Sequence, residues 1–235
     1  MFKYVVEVIP NGDFVELTYI DEACREGVGD KRLYVIVQGL VSSLSEDLEP
    51  GEVDFLTNYA FQDLKHYLIV KFGLTRKSEE EASLELCKRV LSEEDRVREL
   101  AREWFGWWIV KWRQRVKLDF KNEVNSNANA LDPNVENIIK SLPKDRLRSL
   151  RRDVIEELIR EGEVCSLDVV SDFIIRSVLN ELINEYGPDR TREIINNPVA
   201  FKMRVLSKIM EIRNSDQPFV ILRVRLNPYQ GYAPW

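Results

Sequence analysis

The chain has 235 residues, 44% of them hydrophobic, and a formal net charge of −6. That length allows one large domain or two small ones, and that apolar fraction builds a real core. The negative balance excludes a global positive field drawing the chain to nucleic acid, and no apolar run is long enough to span a bilayer.

Residues 3–20 give the clearest β signal in the chain. Two alternating runs, Tyr4–Ile9 and Phe14–Ile20, flank Pro10-Asn11-Gly12-Asp13, and Asn-Gly supplies the two positive-φ positions of a tight hairpin turn. Residues 21–31 read as a charged connector. Leu33–Val37 reads as a strand followed by a short helix, although so short a run does not separate strand from helix by its period. After the turn at Pro50-Gly51, Asp54–Phe72 reads as a helix stopped by Gly73. Ser78 and Glu81 form a capping box that opens another helix, to about Leu91.

Residues 92–121 are the stretch around which the rest is expected to organise. A second apparent capping box, Ser92 with Asp95, opens it, and four of the five tryptophans of the chain lie inside it: Trp104, Trp107, Trp108 and Trp112. Each indole buries on the order of 150–250 Å², so the spacing predicts a core helix with its rings turned inward. Two other uses of the same stretch are an interfacial membrane contact by residues 104–117 and a nucleic-acid surface, with Arg113, Arg115, Lys117 and Lys121 meeting phosphates. Between residues 96 and 121 there are eight basic and three acidic side chains, against the chain's overall negative charge.

Residues 122–131 read as a linker, rich in asparagine and without period. They divide residues 1–121 from a second part, 132–226. Asp132-Pro133 restarts helix. Residues 144–161 form an amphipathic helix with Leu147, Leu150, Val154, Ile155 and Leu158 inward. Lys144, Arg148, Arg151 and Arg152 crowd the N-terminal half of that helix, where the macrodipole disfavours cations. Positive charge held against that preference is the signature expected of phosphate contact, the alternative being a solvated face of ion pairs. Ser166 opens a long helix to Tyr186, closed by Gly187-Pro188, and Asn197 caps another from Pro198 to Arg213. Phe219–Leu226 reads as a strand pairing with the N-terminal hairpin. The arm 227–235 carries no side-chain charge, and Tyr229, Tyr232 and Trp235 recur every three residues, so polyproline II backbone sets the three rings on one side. Such an arm calls for a groove on its own domain or on a second subunit.

Cys24, Cys87 and Cys165 form neither a metal spacing nor a disulfide framework, which points to a reducing, cytoplasmic setting. The N-terminus lacks a secretion-signal pattern. His66, the one histidine, lies a helical turn from Asp63 and offers an acid–base pair. No phosphate loop, dinucleotide fingerprint, zinc motif or nucleophile elbow is present, so no catalytic residue, metal or cofactor is assigned. Asp119-Phe120-Lys121 matches only the end of a metal-nuclease signature.

The expectation is an α+β protein: a small antiparallel sheet, made of the N-terminal hairpin and the C-terminal strand, with six or seven helices around the Trp-rich helix. The expected function is noncatalytic nucleic-acid association through Arg113, Arg115, Lys117, Lys121, Lys144, Arg148, Arg151 and Arg152, with DNA or RNA as partner. The alternative is an assembly subunit that self-associates through Tyr229, Tyr232 and Trp235. A metal-dependent hydrolase or nuclease stands behind both.

Overall fold

The structure, a computed structural model, describes residues 20, 22–44, 50–118, 133–214 and 222–224. In chain order these give α1 (Val28–Ser42), α2 (Pro50–Lys71), α3 (Glu79–Ser92), α4 (Glu94–Arg115), β1 (Val116–Leu118), α5 (Pro133–Ser141), α6 (Lys144–Arg160), α7 (Leu167–Asn196), α8 (Pro198–Asn214) and β2 (Leu222–Val224). A helical turn at residues 22–25 precedes α1.

The α+β expectation is overturned. Outside the turns, the described residues are helical apart from β1 and β2, and these three-residue strands pair parallel, Val116 opposite Leu222 and Leu118 opposite Val224. The antiparallel sheet is not seen. The hairpin of residues 3–19, the linker 122–131 and the arm 227–235 lie outside the described residues. The C-terminal strand found its partner where the sequence reading had continued a helix. Beyond Arg115, Val116 and Leu118 alternate with Lys117, and period two replaces period 3.6.

Leu33–Val37 is helix, not strand. Leu33, Ile36, Val37 and Val41 are buried, a helical stripe that packs α1 on α2 and α3 and overrides the β preference of Val and Ile. Ser92 is no cap either. It is the last residue of α3, its hydroxyl donating to the Lys88 carbonyl at 2.7 Å. The break falls at Glu93, which draws Arg89 (2.6 Å) and Arg96 (3.0 Å). The Ser78–Glu81 capping box is present in both directions, and the Asn197 side chain accepts from the amides of Val199 and Ala200 at the start of α8.

Two helices carry the core. On α4, Trp104, Trp108 and Trp112 step up one face at i, i+4 and i+8, with ring centroids 5.7 and 5.1 Å apart. They pack on α2 through Tyr67, Tyr59 and Phe55. Trp107 departs from the inward expectation: it is 66% exposed, with Val110 beside it at 53%, because its position points the ring off the buried face. On α7, Leu167, Val170, Ile174, Ile175, Val178, Leu179 and Leu182 are all buried, enclosed by α5, α6 and α8. Gly187, at φ 79°, kinks α7 ahead of Pro188, a conformation that only glycine adopts without strain.

Cys24 and Cys87 form a disulfide across 63 residues, which corrects the reading of the cysteines as unpaired. It fastens the turn before α1 to α3. Gly29 makes the approach possible, since a Cβ there would lie 2.5 Å from the Cys87 sulfur and 2.9 Å from its Cα. Cys165 is buried and lies outside this disulfide, its sulfur 3.4 Å from the Ser166 hydroxyl. A loop of this size constrains the unfolded chain by about 4 kcal/mol. Reduction with a dithiol, followed by differential scanning calorimetry, is expected to lower Tm by about 10 °C.

Candidate functional site

The most concentrated polar chemistry in the described residues sits where α2, α4 and α7 meet. Asp63 projects from α2 into the core and is 2% exposed. Its Oδ2 accepts from Trp108 Nε1 at 2.7 Å and from the Ser166 amide at 2.7 Å, and its Oδ1 accepts from the Leu167 amide at 2.9 Å. The carboxylate therefore caps α7 from another helix. That role usually falls to the residue before the helix, but Ser166 stands there in the left-handed conformation (φ 57°) and makes no side-chain cap. The negative charge lies on the positive end of the helix dipole.

Glu163, 4% exposed, completes the turn between α6 and α7. Its Oε1 accepts from the amides of Val164 (2.9 Å) and Cys165 (3.2 Å), and Lys111 of α4 reaches Oε2 at 3.4 Å. Four successive amides, Val164 to Leu167, are thus held by two buried carboxylates. A turn that would otherwise offer its N–H groups to an anion is filled from within.

His66 does not pair with Asp63. One turn on, its Nε2 meets Asp168 Oδ1 at 3.2 Å in the first turn of α7. The sequence spacing placed Asp63 and His66 together along α2, but Asp63 turns into the core while the His66 side chain stays 30% exposed. Burial pushes Asp63 up to about 6 despite its three N–H donors, with Asp168 adding to the rise. Burial works against protonated His66, but the hydrogen bond and charge of Asp168, and the charge of Asp63, outweigh it and raise the imidazole. Burial works against ionised Asp168 too, and His66 and Arg151 hold it below its ordinary value. The arrangement is a helix clamp: its carboxylates are engaged by backbone, indole and imidazole. Among the described residues no three metal-ligating side chains converge. Asp119-Phe120-Lys121 lies outside them.

The expected phosphate contacts fall into separate groups. Lys144 and Arg148 are exposed on α6. Arg151 donates to Asp172 at 2.9 Å, and Arg152 donates to the Lys77 carbonyl at 2.8 Å. That last bond brings the loop after α2, with exposed Arg76 and Lys77, against the basic half of α6. The sequence reading missed it, because nothing in the local pattern links residues 75 positions apart. Arg113 is exposed near the end of α4, while the side chains of Arg115, Lys117 and Lys121 lie outside what is described. Two residues before Arg113, Lys111 touches Glu163, beyond the C-terminal end of α6. Arg148 is on the order of 20 Å back along that helix, which sets Arg113 apart from the cations of α6. Tyr229, Tyr232 and Trp235 also lie outside the described residues. No helix among the described residues is long and apolar enough to cross a membrane. With Trp104, Trp108 and Trp112 buried, Trp107 and Val110 are the large exposed apolar side chains among the described side chains of residues 104–113.

Two measurements test the clamp. Among the described residues the buried Trp104 Nε1 finds no acceptor, whereas Trp108 Nε1 holds Asp63. In urea titrations Trp108→Phe is therefore expected to cost roughly 1–2 kcal/mol more than Trp104→Phe, and Asp63→Asn, which turns an amide donor toward backbone donors, about 3 kcal/mol. The pH dependence follows from the signs. A raised Asp63 and a raised His66 each contribute stability at low pH that is lost as pH climbs through their folded values, while the lowered Asp168 loses its contribution only below its ordinary 3.8. Tm is expected to be higher at about pH 5 than at about pH 8, and the difference should shrink in Asp63→Asn and in His66→Gln.

No family model, curated protein or solved structure matches the chain, so the reading of these residues rests on their own geometry.

Proposed function

We propose that this protein is a noncatalytic nucleic-acid-associated binding protein. It meets phosphates of DNA or RNA through the patch that Lys144, Arg148, Arg151 and Arg152 of α6 form with Arg76 and Lys77. The observation that supports this reading is the Arg152–Lys77 contact, which brings Arg76, and Lys77 with Glu85 3.8 Å from its ammonium, to a helix face already basic against its own dipole. Lys144 and Arg148 carry the greater part, being exposed. Arg151 is half neutralised by Asp172, and Arg152 also holds the loop. Arg113, with Arg115, Lys117 and Lys121, is a second and separate foothold under the same reading. A cytoplasmic location is proposed without the support of unpaired cysteines, since Cys24 and Cys87 are joined and such bonds are commonest in oxidising compartments.

Assembly through the C-terminal arm is the second reading. It is favoured by α8, which turns Val199, Met203 and Met210 to solvent at 72%, 63% and 46% exposure. A metal-dependent hydrolase finds no comparable support in the geometry.

Fluorescence anisotropy with a labelled duplex and a labelled single strand, across about 50–200 mM salt, tests the nucleic-acid reading. Affinity should fall steeply with salt. In Lys144→Glu with Arg148→Glu, both at exposed positions, the slope of log K on log salt should drop by about 2. An unchanged slope and affinity would remove α6 from the interface.

A further inference from the structure

We infer that the exposed stripe of α8 is the seat for the aromatic arm of a second copy of this chain, an inference that rests on the assembly reading above. Val199, Met203, Leu206 and Met210 recur at i, i+4, i+7 and i+11 along α8, about 140° round the helix from Phe201, Val205 and Ile209, which fill the core. In the single chain Val199, Met203 and Met210 stay open to solvent. No described part of the same chain covers them.

Charge narrows the choice. Every cation of α8 is neutralised within the protomer: Lys202 by Glu157, Arg204 by Glu185, Lys208 by Glu181 and Glu211, Arg213 by Glu161. The stripe lies between closed ion pairs and offers no charge to an acidic or basic partner. The arm 227–235 matches, since none of its side chains is charged and Tyr229, Tyr232 and Trp235 are its large groups.

Length agrees as well. From Val199 to Met210 the stripe runs about 17 Å, and a seven-residue stretch from Tyr229 to Trp235 would span about 19 Å if it took polyproline II form. Thioethers are soft partners for ring edges and fill irregular gaps between them.

Area separates this arrangement from bare packing of α8 on its twin. Three half-open apolar side chains offer on the order of 200 Å² per copy, against about 800 Å² per partner in a stable interface. Three aromatic rings add roughly 500 Å² or more per arm, and a reciprocal exchange uses two arms.

Light scattering on the full chain over a concentration series reads the outcome. The wild type should approach twice the chain mass. Met203→Glu with Met210→Glu should weaken association about thirty-fold, as loss of an aromatic hot spot does, and so should Tyr229→Ala with Tyr232→Ala and Trp235→Ala. Circular dichroism should confirm that both variants remain helical. Mixing the two variants should restore a heterodimer held by one arm in one seat. A wild type that stays monomeric overturns the assembly reading and this inference together. A dimer abolished by the arm changes but untouched by the α8 changes leaves assembly standing and overturns α8 as the seat.

Discussion

A single carboxylate in the core sets the geometry of this protein. Asp63 leaves α2, takes the indole N–H of Trp108 on α4 and caps α7 at Ser166 and Leu167. A buried charge is expensive unless its lone pairs are filled. Three N–H donors from two other elements fill them only when α2, α4 and α7 stand at one mutual distance and rotation. Apolar packing alone tolerates sliding and repacking, whereas this bond set does not. The aromatic ladder lies within the core of the N-terminal half, and Asp63 fixes where that ladder sits against the second core helix.

The same logic separates what is closed from what is open. Glu163 and Asp63 between them use the amides of Val164 to Leu167, so the helix end best placed to bind an anion is occupied by the protein's own side chains. His66 and Asp168 hold each other at its edge. The chemistry that first looks catalytic is spent on joining helices. Two of the features that face outward are the cations on the N-terminal half of α6 and the loop beside it, and an uncharged methionine-rich stripe on α8 whose flanking charges are already paired. They lie on different helices and fit partners of different chemistry, which leaves room for both in one molecule.

Much of the helical layout was legible from the residues. The capping box at Ser78 and Glu81, the Asn197 cap, the stops at Gly73, Gly162 and Gly187, and the inward face of α6 are all local signals, set within a turn or two by hydrogen bonding and side-chain period. The local signals failed where two readings were both locally allowed. Leu33–Val37 has β-branched residues and a helical stripe at once, and packing against α2 and α3 chose the stripe. Val116–Leu118 continued a helical pattern by composition and yet paired with Leu222–Val224. Ser92 and Asp95 had the spacing of a capping box, but Ser92 closed the preceding helix. Trp107 belonged to the same aromatic run as its neighbours, and its angular position alone turned it out to solvent.

The sequence by itself determined most of the helical segments after Pro50, where many of them begin and end, and that the tryptophan-rich stretch lies in the core. These properties follow from contacts within one or two turns of chain. Only the tertiary structure decided that Asp63 caps a helix more than a hundred residues away, that His66 answers to Asp168, that Cys24 meets Cys87 over a bare glycine, and that Arg152 draws Lys77 beside it. Those pairings depend on which helix faces cross, and that is set by the fit of the whole core rather than by any stretch of residues read alone.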